Sequence, residues 1–576
     1  MGGARSRGVR TVAGVMLAGL LAAACADGDV RPQAAATGTP PRTGELTWGT
    51  CPEPSEAEAQ VWGAAEHRPA YARHAARLRC GTLTVPADWT APQGRRLELA
   101  VALLPSTGDG PAEPLALNPG GPGVSGRLMP IGIASGGARA LLDRYDLVGL
   151  DVRGTGRSGP ATCPAAESLD AGPQPAAPTR RTARVYWNRL ARAHTTCAEA
   201  DPAQLASLTT TNAAHDLDAL RRALRAPRLH YYGVSWGTSL GATYRTLFPT
   251  HSGRTLLESV VSPDPDLRGL LDGVTRAREQ RFEHFTAWLA ARSDRYGLGT
   301  TADEVRTRLL SLRERLTTRP LRTSDGTYGR VETDQYLDAE PADRAGAGAA
   351  LSALARGRAP AGDGDGKPRT AAPPLVAPFA GTALLCSQVT HAASFTEQWS
   401  AYGERRAAYP VLGATRPMFP GSGEVPGTST CAGLPAPERP PVEPSRADGP
   451  LLLVAHRDEV ITPLPWARAM RARTVWAEEA FRRLPGLSVV GAALDTDRCL
   501  VRLRDGRVWE ALADRPWGAA RARLDPVLVA CAVHVAASTD TGTAGGTELG
   551  APLVIRTGRR LCRVSFRVAP GSCSGG

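Results

Sequence analysis

The sequence predicts an α/β protein in which a mostly parallel sheet carries helices over both faces. Three observations predict it. Apolar runs of strand length alternate with stretches of helical periodicity between Arg79 and Val261, and the alternation resumes at Pro450. Two of the strands end in glycine-rich loops, Asn118-Pro-Gly-Gly-Pro-Gly123 and Asp151-Val-Arg-Gly-Thr-Gly-Arg-Ser158. A third, Leu229-His-Tyr-Tyr-Gly233, breaks at Val234-Ser235-Trp236-Gly237 directly into a helical run from Thr238 through Leu247. Parallel strands are buried on both faces, and the intervening helices supply the cover.

The elements follow in order. Arg5, Arg7 and Arg10 precede an apolar core, Val12 to Ala24, too short to span a membrane as a mature helix. Leu20-Leu-Ala-Ala-Ala-Cys25 resembles a bacterial lipobox, so residues 1–25 read as a lipoprotein signal with Cys25 lipidated. Residues 26–45, rich in Ala, Thr, Pro and Gly, read as a linker. The first part of the sheet domain covers 46–262, with strands at Arg79–Pro86, Leu97–Leu104, Pro114–Leu117, Tyr145–Leu150 and Leu256–Val261, and a helix from Ala213 to Leu224. Residues 263–445 break the rhythm with helical periodicity at Leu267–Ala291 and Ala302–Leu316, the second opened by the capping box Thr301-Ala-Asp-Glu304. That block reads as a helical lid inserted into the sheet domain, which resumes over 446–498. Residues 499–576 read as an extra β-rich segment.

Composition narrows the function classes. Of the basic side chains only Lys367 is lysine, and arginine is spread without a dense block, so the net charge of +12 does not mark a nucleic-acid surface. No Cys-x-x-Cys or His-x-x-x-His spacing suggests a metal, and no cofactor is expected. Eleven cysteines less a lipidated Cys25 leave an even number, which suits an oxidising compartment outside the cytoplasm. Cys51 with Cys80, Cys163 with Cys197 and Cys386 with Cys431 are the local pairings expected, with Cys499, Cys531, Cys562 and Cys573 left in unassigned pairing.

The strand-turn-helix around Ser235 is the grammar of a nucleophile elbow, in which a serine stands on a strained turn at the start of a helix. Acyl transfer also needs oxyanion donors, a base and an acid to orient the base. The N–H of Trp236, the residue after the serine, is the expected first donor. The glycine loop offers a second, at Gly121, because glycine lets bare amides approach a carbonyl.

Asn-Pro-Gly-Gly-Pro-Gly-x-Ser-Gly (118–126), Asp-x-Arg-Gly-x-Gly-x-Ser (151–158) and Gly-Val-Ser-Trp-Gly-x-x-Leu-Gly (233–241) occur in that order. Together they resemble the α/β-hydrolases, and more narrowly the secreted tripeptidyl aminopeptidases of actinomycetes, relatives of the proline iminopeptidases. The resemblance covers 46–262 and continues loosely through 376–465. It implies an α/β-hydrolase fold and hydrolysis of peptides near a free N-terminus behind a helical lid. The expected partner is a peptide substrate, met by a monomer that touches the membrane only through its lipid.

The resemblance also implies an acid in an Asp-x-x-Thr-Pro turn after the resuming strand. His456-Arg-Asp-Glu-Val-Ile-Thr-Pro463 occupies that place; chemical identity points to Asp458, which is the expected acid, although counting back from Thr462-Pro463 lands on Glu459. It implies a histidine in a later Gly-His turn, yet the corresponding stretch Gly491 to Cys499 contains none. His534 is the only histidine beyond Asp458 and becomes the candidate base, with His456 a second candidate. Tripeptidyl-aminopeptidase-like hydrolysis at Ser235 is the leading expectation. A silent peptide-binding lipoprotein and an esterase are the alternatives. If Cys25 carries the lipid, a Cys25→Ala variant will leave the membrane fraction and appear in the medium; unchanged membrane retention would contradict the assignment.

Overall fold

A computed structural model describes residues 43–62, 68–136, 138–170, 178–264, 266–324, 326–360, 377–390, 393–412, 429–437, 441–445, 447, 449–456, 458–474, 494–495, 498–502, 508–512, 554–557 and 560–562. Cys25, His534, the linker up to residue 42 and most of the β-rich segment 499–576 lie outside the described residues.

Eight strands form one mixed sheet: β1 (Leu46–Gly49), β2 (Arg79–Pro86), β3 (Arg96–Leu104), β4 (Glu113–Asn118), β5 (Tyr145–Leu150), β6 (Leu229–Val234), β7 (Ser252–Glu258) and, last, the strand Leu451–Val454. Between β7 and that last strand a small hairpin adds β8 (Leu321–Thr323) and β9 (Gly326–Tyr328), so Leu451–Val454 is β10. The order across the sheet is β1-β2-β3-β5-β4-β6-β7-β10. Pairing is antiparallel from β1 through β3 to β5 and parallel from β5 through β4, β6 and β7 to β10. The sheet is therefore more mixed than the sequence suggests: a short turn folds β3 back on β2, and β1 and β5 add antiparallel to the two sides of that hairpin.

β2 and β5 occupy the positions read from the sequence. β7 does not. It spans Ser252–Glu258 rather than Leu256–Val261, because the ladder with β6 begins at Leu229 opposite Ser252 and ends where Ser259 turns to a φ of 54°. Val260 is fully buried nonetheless, so its apolar character serves packing outside the strand. The helix Arg180–Ala200 escaped the sequence reading; Ala183, Tyr186, Leu190 and Ala193 give it a buried stripe at three- and four-residue spacing.

The chain between β7 and β10 is mainly helical. Its longest helix, Leu267–Ala290, joins two cores: Leu267, Leu270, Leu271 and Val274 pack with the sheet, while Phe282, Phe285 and Leu289 pack with Leu309, Leu312 and Leu351 of the inserted helices. The helix Pro378–Cys386 also comes from this block, yet its Phe379, Ala380 and Leu384 belong to the core of the sheet. Five short strands between Leu494 and Cys562 form a separate antiparallel sheet.

The three expected local disulfides are present: Cys51–Cys80, Cys163–Cys197 and Cys386–Cys431. Replacing Cys163 and Cys197, which are 34 residues apart in sequence, by serine is expected to cost about 3–4 kcal/mol. Urea unfolding would read this as a lower midpoint; an unchanged midpoint would contradict it.

Candidate active site

The elbow forms where β6 meets the helix Trp236–Leu247. Ser235 sits between them at φ 54° and ψ −123°, a conformation that costs a non-glycine residue about 1–3 kcal/mol. Its neighbours over-determine that conformation. Ser235 N–H donates to Glu258 O at 3.0 Å, and Ser235 O accepts from Thr238 N–H at 2.8 Å and from Thr238 Oγ1 at 2.7 Å. A serine at a helix N-cap ordinarily uses its hydroxyl to cap the helix. Ser235 does not. Its half-buried Oγ is left uncommitted among the described residues.

The glycine loop lies against this turn because β4 is the neighbour of β6, with Asn118 opposite Gly233. A Cβ on Gly120 would stand 2.2 Å from Val234 O and 3.1 Å from Trp236 N, and one on Gly237 would stand 2.6 Å from Asn118 Oδ1. No side chain larger than hydrogen fits either position. Asn118 Oδ1 also accepts from Gly120 N–H at 2.9 Å, which fixes the start of the loop. Gly121, at φ 106°, is half-buried like Ser235, whereas Gly120 and Pro122 beside it are buried. Ser235, Trp236 and the loop bearing Gly121 are thus brought together at the same end of the sheet.

The loop after β5 holds the glycine loop from the other side. Asp151 accepts from Ser125 Oγ at 2.6 Å, from Arg127 N–H at 3.0 Å and from Arg157 N–H at 2.9 Å. Burial pushes its carboxyl above the ordinary range, against the pull of those three donors. Arg153, fully buried, forms a two-pronged pair with Asp216 at 2.8 and 2.6 Å and donates to Ala87 O at 2.6 Å. The Asp151–Ser158 motif is therefore structural.

The acids after β10 face opposite ways. Asp458 turns toward the inserted helices, where His284 Nδ1 lies 2.7 Å from Oδ1 and Arg344 donates to Oδ2 at 2.7 Å. Burial alone would raise its carboxyl, but these two partners hold it below the usual carboxylate range. Glu459 turns toward the strand ends and accepts from Ser259 Oγ at 3.0 Å. Burial pushes Glu459 up, while the charge on His456 and the Ser259 hydroxyl draw it back.

His456 Nε2 lies 3.6 Å from Glu258 Oε1, and Tyr232 donates to Glu258 Oε2 at 2.6 Å. Glu258 holds the imidazole above its ordinary value, against burial, and the charges of Glu459 and Glu340 add to the effect. Glu258 escaped the sequence reading, although an acid directly after Leu256-Leu257 at the end of a strand was a signal. Its backbone oxygen takes the Ser235 N–H, so the same residue supports the elbow and faces an imidazole. A cavity of about 1200 Å³ runs beside Ser239 and Thr243 of the elbow helix, walled by Ala383, Cys386, Leu434 and Met470; neither Ser235 nor Gly121 lines it.

Comparison with known proteins accords with this geometry. The family model described as alpha/beta hydrolase fold matches residues 113–372. A tripeptidyl aminopeptidase of Streptomyces coelicolor is 37% identical over 276 residues, covering 46% of this chain and 50% of that protein. Serine protease Hip1 of Mycobacterium bovis is 35% identical over 201 residues, 32% of this chain and 36% of that protein. Carboxylesterase B of Mycobacterium tuberculosis is 30% identical over 286 residues, 47% of this chain and 53% of that protein. The chain spans about half the length of these relatives, or less. By its sheet, its elbow and the family match over residues 113–372, the chain has an α/β-hydrolase fold.

Proposed function

We propose that the protein is an exported, lipid-anchored serine hydrolase that cleaves short peptides from a free N-terminus through an ester on Ser235. The observation that carries this reading is the strained Ser235, its hydroxyl uncommitted, beside the glycine loop. The relatives named as peptidases support peptide as the substrate class.

Ser235 Oγ attacks the carbonyl carbon and its proton passes to an imidazole. The oxyanion is held by the N–H groups of Trp236 and Gly121. The imidazolium then protonates the leaving amine, and water repeats the sequence on the ester. The helical block after β7 acts as the lid that excludes solvent. We assign the base to His456, whose Nε2 lies 3.6 Å from Glu258 and whose pKa the charge of Glu459 also raises, and the orienting acid to Glu459. Asp458 is already held by His284 and Arg344, and His534 lies outside the described residues.

A fluorophosphonate probe is expected to label the purified protein at Ser235 and not the Ser235→Ala variant. Absence of labelling would favour the silent peptide-binding reading, and turnover of esters without turnover of a tripeptide anilide would favour an esterase. His456→Ala should lower kcat by about four to six orders of magnitude, as Ser235→Ala does, while His534→Ala leaves it unchanged; the opposite result would move the base to His534.

Two further substitutions separate the acids. Glu459→Gln should abolish turnover with little change in Tm. Asp458→Asn should lower Tm, because it weakens a charged pair between the β10 loop and the inserted helices that is worth about 1–3 kcal/mol, and should leave labelling of Ser235 intact. The reverse pattern would return the acid to Asp458.

The base must be neutral to take a proton, so kcat/KM rises with pH through its pKa. Glu258 raises that value. Glu258→Gln should therefore move the acid limb of the profile to lower pH, and an unmoved limb would argue against His456.

A further inference from the structure

The helix Pro378–Cys386 follows β7 in the chain, yet it lies against the loop that follows β4. Ala377 N–H donates to Gly123 O at 3.0 Å. A Cβ on Gly123 would stand 2.8 Å from Ala377 O and 3.1 Å from the Gly381 Cα. A Cβ on Gly381 would stand 2.5 Å from Pro122 O. The two backbones are in bare contact, glycine against glycine. Gly123 could not be replaced in any case, since its φ is 103°. Gly381 has no such excuse: it sits inside a helix, where glycine costs about 1 kcal/mol relative to alanine. Its presence is explained by what it touches.

The helix has no room to yield on its other side. Ala380 and Leu384 are fully buried, Phe379 packs near the His194 ring at 5.9 Å, and Ala380 meets the loop after β5 near Gly154. The Cys386–Cys431 disulfide ties its last turn to the 429–437 segment. The loop on the near side is equally constrained, because Gly120 already touches the elbow. A group inserted between helix and loop must therefore displace the segment that joins them, Gly121-Pro122-Gly123.

We infer that Gly381 is a positioning residue for the oxyanion donor: by admitting the helix to backbone contact with Pro122 and Gly123, it sets where the Gly121 N–H stands relative to Ser235. This rests on the acyl-transfer reading above. Relieving a 2.5 Å contact to an ordinary one requires a shift of about 1 Å. An oxyanion donor works only within about 2.7–3.1 Å of the developing charge, so a shift of that size removes most of its effect. Ground-state substrate does not use the hole fully, so binding should change little.

The test compares Gly381→Ala with Gly346→Ala, the same substitution in an inserted helix at a position with open space around it. With a tripeptide anilide, Gly381→Ala should lower kcat by about ten- to a hundredfold with KM within twofold, and should weaken a peptide boronic acid in proportion to kcat, because the tetrahedral boronate occupies the hole. Gly346→Ala should match wild type in all three. Ala377→Pro, which deletes the N–H donated to Gly123 O and adds no bulk at Gly381, should show the same split between kcat and KM. Wild-type kcat in Gly381→Ala, or a loss shared equally by KM and boronate binding in both Gly381→Ala and Ala377→Pro, would overturn the inference. Failure of the wild-type protein to label at Ser235 would instead overturn the acyl-transfer reading.

Discussion

The candidate site depends on one steric constraint, the contact of the Gly120 backbone with the carbonyl of Val234. At 2.2 Å from an added Cβ, that contact excludes every other residue and fixes the glycine loop to the turn that carries Ser235. Strain at Ser235 persists because β7 accepts its N–H, Thr238 takes its carbonyl and the loop closes the remaining side. The backbone is aimed at a cost of about 1–3 kcal/mol, which the packed surroundings absorb. The hydroxyl freed from capping is the chemical product of that arrangement.

A second layer of interactions keeps the loops from drifting. Asp151 gathers donors from both glycine-rich segments, and Arg153 fastens the base of its loop to Asp216 and to the carbonyl of Ala87. These charges are buried, and each is paired or bonded, which is the condition under which such groups are tolerated. The acids after β10 divide the work. Asp458 couples that loop to the inserted helices, while at the strand ends Glu459 accepts from Ser259 and His456 lies beside Glu258.

The elbow, the two glycine-rich loops and the strands at Arg79 and Tyr145 were legible because each rests on local chemistry: turn residues, alternation and a break in apolar patterning. The bounds of β7 were not legible, since a run such as Leu256–Val261 looks alike whether it pairs or merely packs. Chemical identity and spacing pointed to different ones of the two adjacent acids after β10, and only the loop geometry turns Glu459 toward the strand ends and Asp458 toward the inserted helices. Glu258 and His456 lie nearly two hundred residues apart in sequence and meet only because β7 pairs with β10. The service of the helix Pro378–Cys386 to the glycine loop is of the same kind. Gly123 and Gly381 each read as an ordinary local glycine until the fold puts them in contact.

The strand order carries a consequence for how the molecule acquires its site. Asn118 and Gly233, more than one hundred residues apart, become opposite partners only when β4 and β6 pair, and β6 cannot be flanked on its other side until β7 has followed. Non-local parallel pairing of this sort closes long loops before contacts reward it, and it is slow for that reason. During emergence of the chain the glycine loop therefore exists for some time without the turn it is shaped against. Ser235 can relax to an unstrained conformation in that interval. The reactive geometry thus waits on the pairing of β4, β6 and β7 and belongs to the assembled sheet, not to the elbow segment by itself.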